Sequence, residues 1–332
     1  MSLISPPEQP TPSTQSVEQR PYLQRQFPWL YALWKFSRPH TILGTSFSLL
    51  GIALLTWAIN PSRIPYPPLL IPLALLACLC GNLYIVGLNQ MEDVAIDRIN
   101  KPHLPIASGE FTRSEGWRIV LFSGLVALVL SLTQGIFLTL TVWLSLLIGT
   151  AYSLPPIRLK RFPFWASFCI LVVRGVIVNL GLFCHFASHQ GEAMASGSLG
   201  IPVIPPVIWL LMALIVGFSI AIALFKDIPD LEGDRHHQIS TFSLKLGTKT
   251  VFNLALGLLT ACYAMVVAIG ATVPHVNPVF IVASHACALI ALWVRRSSAD
   301  LSDRPAISRF YQFIWQLFFL EYLFFPVSAL LW

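Results

Sequence analysis

Long apolar runs, separated by short polar segments, fill the chain from about residue 41 to its end. Nine of these runs come near the length of roughly 20 residues that a helix needs to cross a bilayer core about 30 Å thick. They lie near residues 41–60, 68–90, 117–133, 135–153, 164–187, 203–225, 250–272, 276–294 and 310–331. The pattern predicts an all-α integral membrane protein with nine transmembrane helices in a lipid bilayer.

Composition supports the membrane interpretation. Apolar residues make up 55% of the 332 residues, charged residues 11%, and the mean hydropathy is +0.70. A soluble domain has about 25% charged residues. These values exclude a soluble globular enzyme, and so high an apolar content also excludes intrinsic disorder. The six cysteines all fall inside apolar runs, so they indicate no disulfide framework and no zinc site.

Positive charge is confined to one side of the predicted topology. All but two of the 21 Lys and Arg residues lie in the N-terminal tail or in the loops after the second, fourth, sixth and eighth runs. Positive residues remain in cytoplasmic loops, so we expect a cytoplasmic N-terminus. The net charge of +6 then follows from topology, and no nucleic-acid partner is needed.

Polar composition and acidic residues define the domain organisation. Residues 1–36 contain no apolar signal-like run and predict a soluble, flexible tail, whereas residues 37–332 form the membrane-embedded domain. Nine of the 15 Asp and Glu residues lie in the loops after the second and sixth runs. Because four runs separate the two acidic loops, we expect two four-helix units plus a ninth helix around a central cavity.

The first acidic loop carries side chains at helical spacing. Asn89, Asp93 and Asp97 are four residues apart, so a helix continuing from the second run places them on one face, until Pro102 and Pro105 stop it. Together they offer hard oxygen ligands. A solvated helix end with scattered acids is the alternative, but it explains neither the shared face nor the second acidic loop.

The second acidic loop contains Asp227, Asp230 and Asp234, although Pro229 and Gly233 make a continuous helix doubtful. Two carboxylate clusters at one membrane face repel each other unless a cation lies between them. Mg²⁺ suits such a site because it is held by one or two carboxylates together with substrate phosphates. The candidate metal ligands are Asn89, Asp93, Asp97, Asp227, Asp230 and Asp234.

Basic residues near the acidic loops can share the charge of a diphosphate. With Asn89, the candidates are Arg38, Arg158, Lys226 and Arg235. Lys160 and Arg161 lie beside Arg158, but each is also explained as a marker of the cytoplasmic side. The two loops and these cations together predict a Mg²⁺-bridged diphosphate.

Two spaced motifs in a nine-span chain resemble the UbiA superfamily of intramembrane aromatic prenyltransferases. They read Asn89-x-x-x-Asp93-x-x-x-Asp97 and Lys226-Asp-x-x-Asp230-x-x-x-Asp234. Longer stretches over residues 89–109, 152–161 and 226–234 are similar to the homogentisate prenyltransferase branch, and the resemblance covers roughly residues 36–330. Gln90 departs from the wider superfamily, in which many members have Asp at this place.

This resemblance implies a Mg²⁺-dependent reaction. A prenyl group, phytyl being favoured, passes from its diphosphate to homogentisate, whose carboxyl is lost as CO₂, and 2-methyl-6-phytylbenzoquinol forms on the way to tocopherols. Asp93, Asp97, Asp230 and Asp234 are then the catalytic metal ligands. The expected location is a cyanobacterial-type plasma or thylakoid membrane.

Two further residues are candidates for binding the aromatic acid. Arg174 lies inside the fifth run, where a charged side chain is rare and costly, and it is a candidate for the acceptor carboxylate. Hydrogen bonding to helix carbonyls is the alternative. His40 is a candidate for orienting the acceptor, or it caps the first helix.

Other functions remain open at this stage. A homogentisate solanesyl or geranylgeranyl transferase is one alternative. A chlorophyll synthase-like enzyme is another, although Gln90 argues against it and suits the homogentisate branch. Outside the enzyme class, an ion-coupled transporter also uses carboxylates, but its coupling site lies near the bilayer midplane. Here both acidic loops follow even-numbered runs at one membrane face, which favours the enzyme.

Overall fold

The computed structural model describes residues 26–191, 201–226, 228, 241–297, 299 and 303–332. Within these residues, nine helices are long and apolar enough to cross a membrane, which confirms the prediction of an all-α protein with nine spans. We label them α1 to α9: Pro39–Ile59, Leu70–Glu92, Arg113–Thr133, Ile136–Ser153, Pro163–Ala187, Pro206–Phe225, Thr248–Ile269, Pro278–Ser297 and Arg304–Leu330. Shorter helices span Pro28–Phe36, Val94–Asn100, Pro105–Ser108 and Phe242–Leu246.

Local sequence explains the helix ends and the polar residues inside the spans. α3 begins with a capping box, in which Thr112 and Glu115 satisfy each other's backbone N–H groups. Inside the spans, Ser48, Thr56 and Ser219 donate their hydroxyls to carbonyls four residues earlier. These bonds satisfy groups that would otherwise remain unpaired in lipid.

The helices pack as two units joined by the last span. In the first unit, α2 contacts α1, α3 and α4; in the second, α6 contacts α5 and α7, and α7 contacts α8. α5 also lies against α1 and α4, while α9 contacts α1, α6 and α8. This arrangement agrees with the expected two four-helix units plus a ninth helix.

The N-terminal segment is partly packed on the membrane domain. Of the predicted flexible tail, residues 1–25 lie outside the described residues, and the last nine residues form the helix Pro28–Phe36. Ala32 and Phe36 of this helix are buried in a small cluster with Phe111 and Val120. The domain boundary at residue 36 therefore stays a prediction, with a helix anchored just before it.

A buried polar cluster joins three spans. The Glu321 carboxylate, fully buried in α9, accepts a hydrogen bond from Tyr263 of α7 at 2.9 Å and lies 2.9 Å from Nε2 of His285 in α8. Both carboxylate oxygens are thus satisfied. Glu321 therefore links α7 and α8 of the second unit to the last span.

α1 and α9 approach each other closely at Gly51. A Cβ added to Gly51 would lie 2.5 Å from the Tyr322 backbone oxygen. Because two backbones must separate to admit it, we expect Gly51→Ala to lower the free energy of unfolding by about 1–3 kcal/mol. Thermal unfolding in detergent measures the effect.

Gly257→Ala is the matched control, because a Cβ there meets no atom within 4 Å. Alanine is a better helix former than glycine by about 1 kcal/mol, so this variant should be at least as stable as the parent. Equal melting temperatures for the Gly51 variant and the parent would contradict the close packing.

Candidate active site at the Asp93 end of the bundle

Asp93 lies at a break between two helices. α2 ends at Glu92, and the helix Val94–Asn100 begins two residues later. Asp93 lies between them, with φ −107° and ψ 20°. The expected single helix is therefore divided here. Helical hydrogen bonds between residues four apart are nevertheless kept across the break. The Asp93 N–H donates to the Asn89 carbonyl at 3.0 Å, and the Asp97 N–H donates to the Asp93 carbonyl at 2.8 Å. Asp97 is buried, with 4% of its surface exposed.

Two cations and one amide hold the Asp93 carboxylate. Arg158 donates from Nη2 to Oδ1 at 3.1 Å, and Lys160 donates from Nζ to Oδ2 at 2.7 Å. Asn89 donates from Nδ2 to the same Oδ2 at 3.0 Å. The sequence left Lys160 open as a cation for the diphosphate or as a marker of the cytoplasmic side, and it did not predict the contact with Asp93. The signal available was its position two residues after Arg158.

Arg38 joins this group through Asn89. Its Nη2 donates to Asn89 Oδ1 at 3.4 Å. Arg38 and Arg158 both have left-handed backbones, with φ of 52° and 38°. Such conformations are uncommon outside glycine and cluster at functional sites. Hydrogen bonds thus connect Arg38, Asn89, Asp93 and Arg158 in one chain.

The other predicted site residues are described only in part. Lys226, at the end of α6, donates from Nζ to the Tyr152 hydroxyl at 3.5 Å. Asp227, Asp230, Asp234 and Arg235 lie outside the described residues, so the meeting of the two acidic loops stays a prediction. Among the described residues, no three His, Cys, Asp or Glu side chains form a complete metal site.

The Asp93 end of the bundle is electropositive. Burial, followed by the charges of Lys35, Lys101 and Arg38, lowers the pKa of the His103 imidazole. Burial also lowers the pKa of the Lys160 ammonium, although the nearby Asp93 carboxylate opposes this effect. Lys35, Lys101 and Arg38 thus bring positive charge close to His103 at this end of the bundle.

The Gln90 amide bonds to two backbone carbonyls. Its buried Nε2 donates to the Phe36 carbonyl at 2.6 Å and to the Val86 carbonyl at 3.4 Å. The amide therefore attaches the N-terminal helix to α2. An ionised aspartate at this position would have no N–H to donate to these carbonyls.

The two residues predicted to bind the aromatic acid converge on one indole ring. The Arg174 guanidinium carbon lies 4.6 Å from the centre of the Trp315 ring, and the His40 ring centre lies 5.0 Å from it. Phe318 flanks Arg174 as well, at 5.9 Å. Sequence reasoning assigned no role to Trp315.

Comparison with characterised proteins places this arrangement in a family. The model of the UbiA prenyltransferase family matches residues 46–317. Homogentisate phytyltransferase of Synechocystis sp. is 47% identical over 90% of this chain and 96% of its own. In Arabidopsis thaliana, a chloroplastic homogentisate phytyltransferase 1 is 41% identical over 90% of this chain and 75% of its own. The homogentisate solanesyltransferase of the same plant is 38% identical over 92% of this chain and 78% of its own.

Solved structures show the same fold. A UbiA homolog from Archaeoglobus fulgidus bound to GPP and Mg²⁺ has a TM-score of 0.58 and 15% identity, covering 91% of this chain and 100% of its own. The apo UbiA homolog from Aeropyrum pernix has a TM-score of 0.60 and 19% identity, covering 88% of this chain and 98% of its own. The family model spans most of the chain, and the protein therefore belongs to the UbiA prenyltransferase family.

Proposed function

We propose that this protein transfers a phytyl group from phytyl diphosphate to homogentisate with loss of CO₂. The observation that carries the proposal is the Asp93 carboxylate, held by Arg158, Lys160 and Asn89 at the end of a membrane-embedded bundle. Identity of 47% to a homogentisate phytyltransferase along nearly the whole of both chains supports the same substrates.

The described oxygen donors fit Mg²⁺. Asn89, Asp93 and Asp97 supply an amide and two carboxylates from successive turns, and Mg²⁺ takes few protein ligands beside substrate phosphates. We assign Asp227, Asp230 and Asp234 to the same site, and we include Asn89 and Asp227 as supporting ligands. The relative from A. fulgidus was solved with GPP and Mg²⁺. When bound, the ion supplies Lewis-acid stabilisation of the departing diphosphate.

The cations of the chain bind and stabilise the leaving group. We assign to Arg38, Arg158, Lys160, Lys226 and Arg235 the donation of hydrogen bonds to diphosphate oxygens, whose negative charge grows as the bond to carbon breaks. The contacts of Arg38, Arg158 and Lys160 with Asn89 and Asp93 support this assignment. Donors that are already in position stabilise such charge most strongly where water is excluded. The Asp93 carboxylate keeps Arg158 and Lys160 together before the donor arrives.

The reaction balances without an external oxidant or reductant. The C1–O bond of the donor breaks, and its electron pair remains on diphosphate. A ring carbon of homogentisate forms the new bond to C1 and then loses its proton. The carboxylate departs as CO₂, and the methylene carbon takes up one proton to become the methyl group. The products are 2-methyl-6-phytylbenzoquinol, diphosphate and CO₂. His40 and Arg174 orient the acceptor in this proposal.

The protein is an integral membrane protein, and we place it in a thylakoid or plasma membrane with its N-terminus in the cytoplasm. The relatives from a cyanobacterium and from chloroplasts support this location. The confinement of basic residues to alternate loops supports the orientation.

A donor and acceptor panel tests the proposed function. Membranes containing the protein are supplied with Mg²⁺, homogentisate and one donor at a time, phytyl, geranylgeranyl or solanesyl diphosphate, and the quinol is identified by mass. We expect 2-methyl-6-phytylbenzoquinol as the major product, and no product after chelation of Mg²⁺. Preference for chlorophyllide or hydroxybenzoate as acceptor would contradict the proposal, and ion flux without product would indicate a transporter.

A further inference from the structure

Arg174 has an unusual position for a cation. It lies near the middle of α5, where residues Leu171–Ile177 form a π-helical turn between two α-helical segments. π turns inside α-helices frequently mark functional sites. Its Nη1 is buried and has no hydrogen-bond partner among the described residues. A charged N–H donor without an acceptor inside a membrane is costly, and an anionic ligand beside Nη1 would satisfy it.

Trp315 presents a second donor at the same place. The indole is 4% exposed and Arg174 lies over its ring. Its Nε1 is also buried, and no hydrogen-bond partner for it is found in the part of the chain that the structure describes. Two unsatisfied N–H donors on side chains in direct contact complement the two oxygens of a carboxylate. We propose that Trp315 Nε1 and Arg174 Nη1 together bind the carboxylate of the aromatic acceptor, and that Trp315 sets specificity for an acid. This inference rests on the proposed function.

Hydrogen bonds of Asn179 link the π-helical turn of α5 to Tyr322 of α9. Asn179 donates from Nδ2 to the carbonyls of Arg174 at 2.7 Å and Gly175 at 3.0 Å, so it fastens the π-helical turn. Its Oδ1 accepts from the Tyr322 hydroxyl at 2.7 Å. Tyr322 lies seven residues after Trp315 in α9, on the same helix face. Asn179 and Tyr322 are therefore positioning residues for the Arg174 and Trp315 pair.

The test uses Trp315→Phe, which keeps an aromatic ring for Arg174 and removes only the N–H donor and the larger ring. A hydrogen bond to a charged group corresponds to about a 10-fold change or more in affinity. We expect the KM for homogentisate to rise about 10-fold or more, while the KM for phytyl diphosphate stays unchanged. Tyr322→Phe should shift the homogentisate KM in the same direction. Trp209→Phe is the matched control, because Trp209 is 53% exposed on α6.

Binding measurements separate recognition of the acid from packing. Radiolabelled homogentisate and its methyl ester, which has the same ring and no carboxylate charge, are bound to the purified protein in detergent without donor. The parent protein should bind the acid at least about 10-fold more tightly than the ester, and Trp315→Phe should abolish most of that difference. The parent comparison remains informative even if the variant fails to fold.

Equal affinity of the parent for acid and ester would overturn the inference, as would equal losses for both ligands in Trp315→Phe, which would show a packing role only. These failures differ from failure of the proposed function. If the parent binds homogentisate through Trp315 but forms no prenylated quinol, the carboxylate site stands and the reaction assignment fails.

Discussion

Replacing Asp93 with asparagine is expected to lower kcat by about 10²- to 10⁴-fold. The carboxylate accepts hydrogen bonds from Arg158 and Lys160, and each charge-assisted bond contributes about 1.5–3 kcal/mol. The variant keeps the shape of the side chain but removes the charge that holds both cations and, in the proposed function, one metal ligand. Initial rates of quinol formation at saturating Mg²⁺ measure the loss.

Glu110→Gln is the control for this prediction. Glu110 lies at the same end of the bundle and pairs with Lys35, but the pair is partly exposed. Surface ion pairs contribute about 0–1 kcal/mol, so turnover should remain within about five-fold of the parent. Size-exclusion profiles in detergent establish that both variants are folded. If Asp93→Asn kept more than about a tenth of the parental activity, the assigned role of Asp93 would be wrong.

Replacing Arg158 with glutamine should raise the KM for phytyl diphosphate and lower kcat, with a combined fall in kcat/KM of about 10- to 100-fold. Arg158 is held by Asp93, and its left-handed backbone at φ 38° aims the side chain at the cluster. Loss of one charged donor to the diphosphate accounts for that range. The KM for homogentisate should change little, because Arg158 belongs to the leaving-group side of the proposed site.

Arg161→Gln is the control that distinguishes a specific role of Arg158 from an effect of the positive charge of the loop. Arg161 lies three residues further along the same turn and is exposed. Both substitutions remove one positive charge from the same loop, so an effect on topology alone would be shared. We expect Arg161→Gln to leave kcat/KM nearly unchanged. Similar losses in the two variants would show that Arg158 acts only through the charge of the loop.

The membrane spans could be predicted because lipid imposes a simple rule. Every span needs a long apolar helix, so hydropathy alone located all nine within the described residues. The contact between Asn89 and Asp93 was likewise expected from their spacing of four residues. The break at Asp93 was not, because local spacing does not report where packing interrupts a helix.

Contacts between distant spans explain what the sequence did not reveal. Lys160 contacts Asp93, and its charge alone does not distinguish this role from that of a marker of the cytoplasmic side. Trp315 is one of ten tryptophans, and only the three-dimensional arrangement shows that Arg174 and His40 contact it. Glu321 is satisfied by Tyr263 and His285, which lie on two other helices.

In the proposed function, the Asp93 cluster and the second acidic loop bind one metal-bound diphosphate. The most direct test is diffraction at the manganese absorption edge, with Mn²⁺ replacing Mg²⁺ and an unreactive thiolodiphosphate analogue of the phytyl donor bound. We expect an anomalous peak about 2–2.5 Å from an oxygen of Asp93, with acids from residues 227–234 in contact with the same metal site and Arg158 on the diphosphate. A diphosphate bound elsewhere, or metal bound without Asp93, would contradict the account.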